Sequence, residues 1–341
     1  MTWVEAEGCR VVDGDGRRLL DLSGGFGVAA LGHRNLEVGE AIIRQAARCV
    51  HALGDLAEAD VTAELRRQLG LGRRHVMLGV TGEDAVEIAL RTCLLVTGKP
   101  GIVAFDGAYH GTGLLALAAT GFERFREPFA AWLPGPVHRF PYGEDPGPLP
   151  ADAGCVIVEP VQGRAGARVP PDGFLHTLRD RCDAAGALLV ADEIYSGLGR
   201  CGALWRSGGI ADLLTSGKAL GGGIPLSACL MRPEHGEAWN LGPADVYTHT
   251  HMGSPLACAA ALVVLERVPA LLDRVLEAGE RFERAGWHGA GLMRAKPGDA
   301  QRAYERGVIV VPAGLDGELI SATPPLTIGD DEIDEALERL A

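Results

Sequence analysis

Between residues 60 and 215 the chain alternates two kinds of segment. Short runs are apolar at every position, and longer runs repeat their apolar residues every three or four positions. The short runs predict strands over 75–80, 101–105, 154–158, 188–191 and 213–215; the longer ones predict helices over 59–69, 84–96 and 173–185. Strands that are apolar throughout have both faces covered, which predicts a mainly parallel sheet of α/β type. The Pro-rich 134–150 stretch reads as a surface excursion.

Outside this region the pattern changes. Residues 9–22 read as two short strands about the Asp13-Gly14-Asp15-Gly16 turn, followed by a glycine-rich segment from Ser23 and an amphipathic helix over 36–50. That glycine-rich segment either lines a site or simply connects. From Pro255 the run PLACAAALVVLERV predicts an apolar helix able to cross from one domain to another. Polar helices, a strand pair near 307–311 and 318–321, and a last helix from Asp330 follow. The expected organisation is a large domain over 51–255 and a small α/β domain built from both ends, 1–50 and 256–341.

Composition narrows the functional classes. With 341 residues, 47% of them apolar, the chain is long enough for a large core plus a smaller domain. A net charge of −13 disfavours nucleic acid and anionic membrane as partners. The eight cysteines form no C-x-x-C pair, which suits reduced thiols in a cytoplasmic protein and argues against a metal centre. No signal-peptide core stands at the N-terminus, and no apolar stretch is read as approaching the roughly 18 residues of a spanning helix.

The strand ends carry the chemistry. Lys218, in LLTSGKALGGGIPL, lies between two buried-strand patterns and beside glycines that let other groups approach. It is placed as a reactive amine able to form a Schiff base, most commonly with pyridoxal 5′-phosphate (PLP), although a loop lysine beside a turn has the same local pattern. Asp192 ends the apolar run 187–191, where a carboxylate needs a cationic partner; a pyridinium nitrogen is one. Thr81, Gly82 and Glu83 open a helix at a strand end and offer N–H groups to a phosphate, or Thr81 is a plain N-cap. Tyr109 and His110, flanked by glycines, place an aromatic ring for stacking. Glu159 follows another apolar run and is placed to pair with an arginine in the same cleft. His33, alone at a helix entry, reads as structural.

Taken in order, DGDGRRLLDLSGGFGVAALGH, TGEDAVEIALR, FDGAYHGT, VEPVQGRAG, LLVADEIYSGLGRCG, TSGKALGGGIPLSA, THMGSPLACAAAL and GELISATPPLTI resemble the class III, ornithine-type, PLP-dependent aminotransferases of fold type I. The resemblance implies Lys218 as the Schiff-base lysine, Asp192 as partner of the pyridinium, Ile194 beneath the ring and Tyr109 above it. Gly82 and Glu83 would hold the phosphate. Thr250 matches a threonine that reaches the neighbouring subunit's cofactor, which implies a homodimer. The substrates implied are a small-molecule amino donor and an oxo acceptor. A racemase, aminomutase or lyase on the same scaffold, or a non-catalytic homologue, would share these residues. Three positions depart from the pattern. Ser321 stands where the family carries an arginine that grips a substrate carboxylate, and Gly163-Arg164 replaces Gly-Glu. Tyr195 replaces a glutamine, which implies altered contacts at the cofactor's phenolic oxygen. Arg164 is the candidate replacement cation.

Overall fold

The computed structural model describes residues 2–53, 57–71, 74–241 and 246–341. The chain opens with an antiparallel meander of β1 (Trp3–Glu7), β2 (Arg10–Asp13) and β3 (Arg18–Asp21). The turn forms where expected because Asp13 Oδ1 accepts hydrogen bonds from the N–H groups of Asp15 and Arg17. The first strand was not anticipated. Asp21, fully buried, accepts from Ser23 N and Oγ and lies 2.8 Å from His33 Nε2. His33 is therefore structural, fixing the exit of the glycine-rich segment.

The central sheet holds β4 (His75–Gly79), β5 (Gly101–Phe105), β6 (Val137–Phe140), β7 (Ala153–Val158), β8 (Leu188–Asp192), β9 (Leu213–Ser216) and β10 (Ser227–Met231). Its order is β4-β10-β9-β8-β7-β5-β6, and only β10 runs antiparallel to its neighbours. Burial on both faces explains the unbroken apolar runs. Cys155 and Ile157 pack with the helix Gly82–Thr97, while Val156 and Val158 pack with the helix Phe174–Ala185. Each such fully buried aliphatic side chain contributes about 2 kcal/mol. β6 lies inside the stretch read as a surface excursion. As an edge strand it is only half-buried, so it lacks the apolar signature, and Arg139 on it donates to the carbonyls of Ala118 and Ala119.

The C-terminal part adds β11 (His288–Ala290), β12 (Met293–Pro297), β13 (Val308–Ile309), β14 (Val311–Ala313) and β15 (Leu319–Ala322). The strand expected near 307–311 is divided. β13 pairs in parallel with β3, joining the two ends of the chain in one sheet, whereas β14 pairs with β15 in a sheet ordered β11-β12-β15-β14. Pro312 is tolerated because β14 is an edge. The last helix is Asp330–Arg339.

The apolar helix Pro255–Arg267 packs against the helices Leu36–Ala46 and Asp60–Gly70. An 18-residue window within Pro255–Arg284 reaches mean hydropathy 1.8, which corrects the expectation that no run has a membrane-spanning composition. A 3-10 turn at Val268–Leu271 divides that run, and 44% of the window is buried against the protein. All eight cysteines are free.

Candidate active site

Eleven of the twelve site residues expected from sequence line one cavity of about 360 Å³; Thr250, exposed on this chain, does not. The cavity lies at the carboxyl ends of the parallel strands, where open α/β sheets bind ligands.

At its floor, the last residue of β8, Asp192, is 4% exposed. Its Oδ1 accepts from Thr215 Oγ1 at 2.9 Å and Ile194 N at 3.1 Å, and its Oδ2 lies 2.6 Å from His110 Nδ1. A carboxylate only accepts, so Nδ1 carries the proton in this contact. Thr215 was not singled out in the sequence. Its signal was its place on β9 directly opposite Asp192 in the ladder. Three of roughly four carboxylate acceptor positions are thereby used, and one remains.

At one end, the helix Gly82–Thr97 presents its N-terminus. Thr81 caps it, accepting from Asp84 N at 3.3 Å, while Asp84 Oδ2 accepts from Thr81 N in return. Capping leaves the N–H groups of Gly82 and Glu83 as first-turn donors without intrahelical acceptors. Glu83 offers only its backbone, because its carboxylate accepts from Thr112 N, Thr112 Oγ1 and Gly113 N. Ile194 is wedged against two glycines: a Cβ on Gly82 or on Gly217 would come within 2.9 Å of it.

Lys218 follows β9 and opens onto the cavity. Burial lowers its pKa, and the charge of Arg164 acts in the same direction, against the opposing pull of Asp192 and Glu159. Its Nζ lies 4.1 Å from the centroid of the Tyr195 ring. Tyr195 OH meets Thr323 Oγ1 at 3.1 Å. The lysine–tyrosine contact was not anticipated.

At the mouth, Tyr109 packs edge-on to Phe125, with ring centroids 5.5 Å apart. The Arg164 guanidinium stacks on both rings, 4.8 Å from Tyr109 and 4.9 Å from Phe125. Glu159 accepts from Tyr109 N at 2.8 Å, and burial pushes its carboxyl up to about 7. The expected pairing of Glu159 with an arginine is absent among the described residues: the backbone N–H takes the carboxylate instead. Ser321, on β15, is 3% exposed, and its Oγ has no hydrogen-bond partner among the described residues. Phe26 and the β14 residues Val311, Pro312 and Ala313 also line the cavity and were not anticipated individually. For Phe26 the signal was the glycine-rich segment around it.

Residues 1–285 match the family described as Aminotransferase class-III. The chain is 37% identical to the acetylornithine aminotransferase of Methanopyrus kandleri, covering 100% of this chain and 93% of that one. The chain belongs to the class-III aminotransferases. It is likewise 37% identical to the acetylornithine aminotransferase of Streptomyces coelicolor, over 99% of this chain and 89% of the relative. Among solved structures, the ornithine aminotransferase of Toxoplasma gondii superposes with a TM-score of 0.91 at 26% identity, covering 99% of this chain and 89% of that one. A PLP-bound amine transaminase from an uncultivated Pseudomonas species superposes with a TM-score of 0.90 at 27% identity, covering 100% and 93%. This class-III aminotransferase has the PLP fold type I and transfers an amino group between a donor and an oxo acceptor using PLP.

The cavity fits that cofactor. The free acceptor position on buried Asp192 suits a protonated ring nitrogen, and the first-turn N–H groups suit a phosphate. Glycines at 82 and 217 leave room for Ile194, which lines the same cavity.

Proposed function

We propose that Lys218 is the amine that carries the cofactor and moves the proton in this transaminase, with Asp192 as the acid that keeps the ring nitrogen protonated. When bound, PLP supplies an aldehyde for Schiff-base chemistry and a ring that withdraws electrons from the reacting carbon. Burial lowers the pKa of Lys218 and so favours its free amine; with PLP bound, Lys218 Nζ would hold the cofactor and would be the base placed to take the proton from the substrate Cα. Asp192 makes three hydrogen bonds, and His110 and Thr215 fix its orientation. Tyr109 covers the ring and Ile194 supports it. Gly82 and Glu83 bind the phosphate through backbone N–H groups at a site capped by Thr81.

The observation that carries this reading is one lysine opening into a cavity whose floor is a buried, oriented aspartate. The relatives are named for acetylornithine and succinylornithine, so acylated ornithines head the donor screen. Ser321 cannot grip a carboxylate bidentately, which favours donors recognised by their amine, amino sugars and amines included. The same reading makes the enzyme a homodimer in which Thr250 completes the partner's site. Its support is that Thr250 is exposed and lies outside its own cavity. It also treats residues 1–50 and 256–341 as one small domain, supported by the β3–β13 pairing, and places the enzyme in the cytoplasm, supported by its unpaired cysteines.

The test is spectroscopic. Purified enzyme loaded with PLP should show a visible band that a productive donor bleaches and an oxo acid restores. Lys218→Ala should lose the band and all turnover. Full turnover in that variant would end the assignment.

A further inference from the structure

We propose that the cleft between residues 167–169 and 283–294 is a second binding site, one that takes the carboxylate of a small organic acid. Its volume is about 570 Å³, and it shares no lining residue with the active cavity.

Charge and unused donors point to an anion. Arg294 is 5% exposed; its Nε donates to Gly291 O at 2.8 Å, and its Nη1 donates to Glu283 Oε2 at 3.2 Å. A guanidinium carries five N–H donors, so three are left without a protein acceptor among the described residues. Glu283 is a weak counterion, because its side chain is 68% exposed and water screens it. It is the only acid lining the cleft, against Arg168 and Arg294. Arg168 pairs with no acid among the described residues, and its Nη1 donates to Gln162 Oε1 at 3.2 Å. Trp287, which also lines the cleft, adds a neutral donor. Its indole is 1% exposed and its Nε1 has no acceptor among the described residues, whereas the N–H of Trp239 finds Thr92 Oγ1 at 2.9 Å. A buried indole N–H usually has a partner.

The lining selects a carboxylate on a carbon skeleton. Two carboxylate oxygens match a guanidinium edge, while Ala167, Val169 and the Trp287 ring offer apolar surface that inorganic phosphate cannot use. The cleft also joins segments distant in sequence. His288 Nε2 donates to Gly166 O at 2.8 Å, and a Cβ on Gly289 would stand 3.0 Å from the Ala167 Cβ. The N–H groups of Gly166 and Ala167 both donate to Gly163 O, and Gly163 lines the active cavity. A bound acid therefore braces a turn whose other end borders the site of Lys218.

The experiment titrates the holoenzyme with sodium butyrate, with butyramide and with sodium phosphate at constant ionic strength, following tryptophan fluorescence and heat. Butyrate should bind and change the fluorescence, and the other two should not. Trp287→Phe should remove most of the fluorescence change. Arg294→Gln should weaken butyrate binding by about 10- to 100-fold. Glu283→Gln, at an exposed position where folding is not at risk, should tighten it by about 2- to 5-fold by releasing Arg294 Nη1. A wild type that ignores butyrate, equal binding of the amide or of phosphate, or an unchanged affinity in Glu283→Gln overturns the proposal. These outcomes stand even if Arg294→Gln fails to fold.

Discussion

Gly82→Ala adds one methyl group at the N-terminus of the helix proposed to hold the phosphate, and the structure separates its two effects. Gly82 has no left-handed backbone requirement, so alanine costs no strain there and gains helix propensity of up to about 1 kcal/mol. Against this, the new Cβ would stand 2.9 Å from Ile194 Cγ2 and 3.4 Å from its Cδ1. Ordinary carbon contacts need about 3.5–4.0 Å, so Ile194 must retreat by roughly 0.6–1 Å. Gly217 blocks one retreat, since its own hydrogen faces Ile194 at a distance that a Cβ would shorten to 2.9 Å. The remaining direction is the cavity, into the space proposed for the cofactor ring.

Overpacking of this kind costs about 1–3 kcal/mol, or roughly 5- to 150-fold in affinity. The apoenzyme escapes most of that cost because its cavity is free to receive the side chain. Gly82→Ala should therefore weaken PLP binding by one to two orders of magnitude while leaving the apoenzyme's Tm within a few degrees of wild type. Titrating apoenzyme with PLP by absorbance gives the first quantity, and calorimetry the second. Because the clash is pairwise, Gly82→Ala placed on an Ile194→Ala background should cost at least 1 kcal/mol less than on wild type. Additive losses, or wild-type affinity in Gly82→Ala, would refute the placing of Ile194 beneath the ring.

Two further predictions concern the buried acids. Asp192→Asn presents an amide that cannot balance a cationic ring and can set an N–H₂ against His110 Nδ1, so single-turnover bleaching of the visible band by a donor should slow by about 10²- to 10³-fold. For Glu159, burial raises the carboxyl to about 7 from an ordinary 4.5. The folded state then binds this proton more tightly than the unfolded chain, so the contribution to stability is complete below about pH 4.5 and is lost as pH rises through about 7. At about 1.4 kcal/mol per unit, the loss is on the order of 3 kcal/mol. The Tm of wild-type apoenzyme should fall relative to Glu159→Gln between pH 5 and 8, and parallel curves would contradict the burial argument.

The fold was legible where burial leaves a mark on every residue. β5 and β7, covered on both faces, showed as unbroken apolar runs, whereas half-buried β6 and exposed β1 gave no such mark. Pro312 concealed β14, because proline belongs to a strand only at an edge, and edges are not visible before the sheet is assembled. The site followed the same logic. Residues that end parallel strands converge by topology, so Asp192, Glu159, Tyr109 and Lys218 could be grouped from order alone. Contacts between distant segments could not: Tyr195 and Thr323 are 128 residues apart, and no local pattern links them.

That distant contact accounts for two stretches that order alone left unexplained. A Cβ on Gly27 would come within 2.9 Å of the Tyr195 ring, and one on Gly163 within 2.5 Å, so the ring is seated between two glycines from different parts of the chain. Its hydroxyl reaches Thr323, and Thr323 Oγ1 donates to Ser23 O at the start of the glycine-rich segment. The ends of the chain thus hold one aromatic face against the amine of Lys218. That face alone would favour the protonated amine by about 0.5–2 kcal/mol, whereas removing a charge from water costs several kcal/mol. Desolvation is the larger effect, in keeping with the lowered pKa of Lys218, and the tyrosine orients an amine that burial keeps nucleophilic.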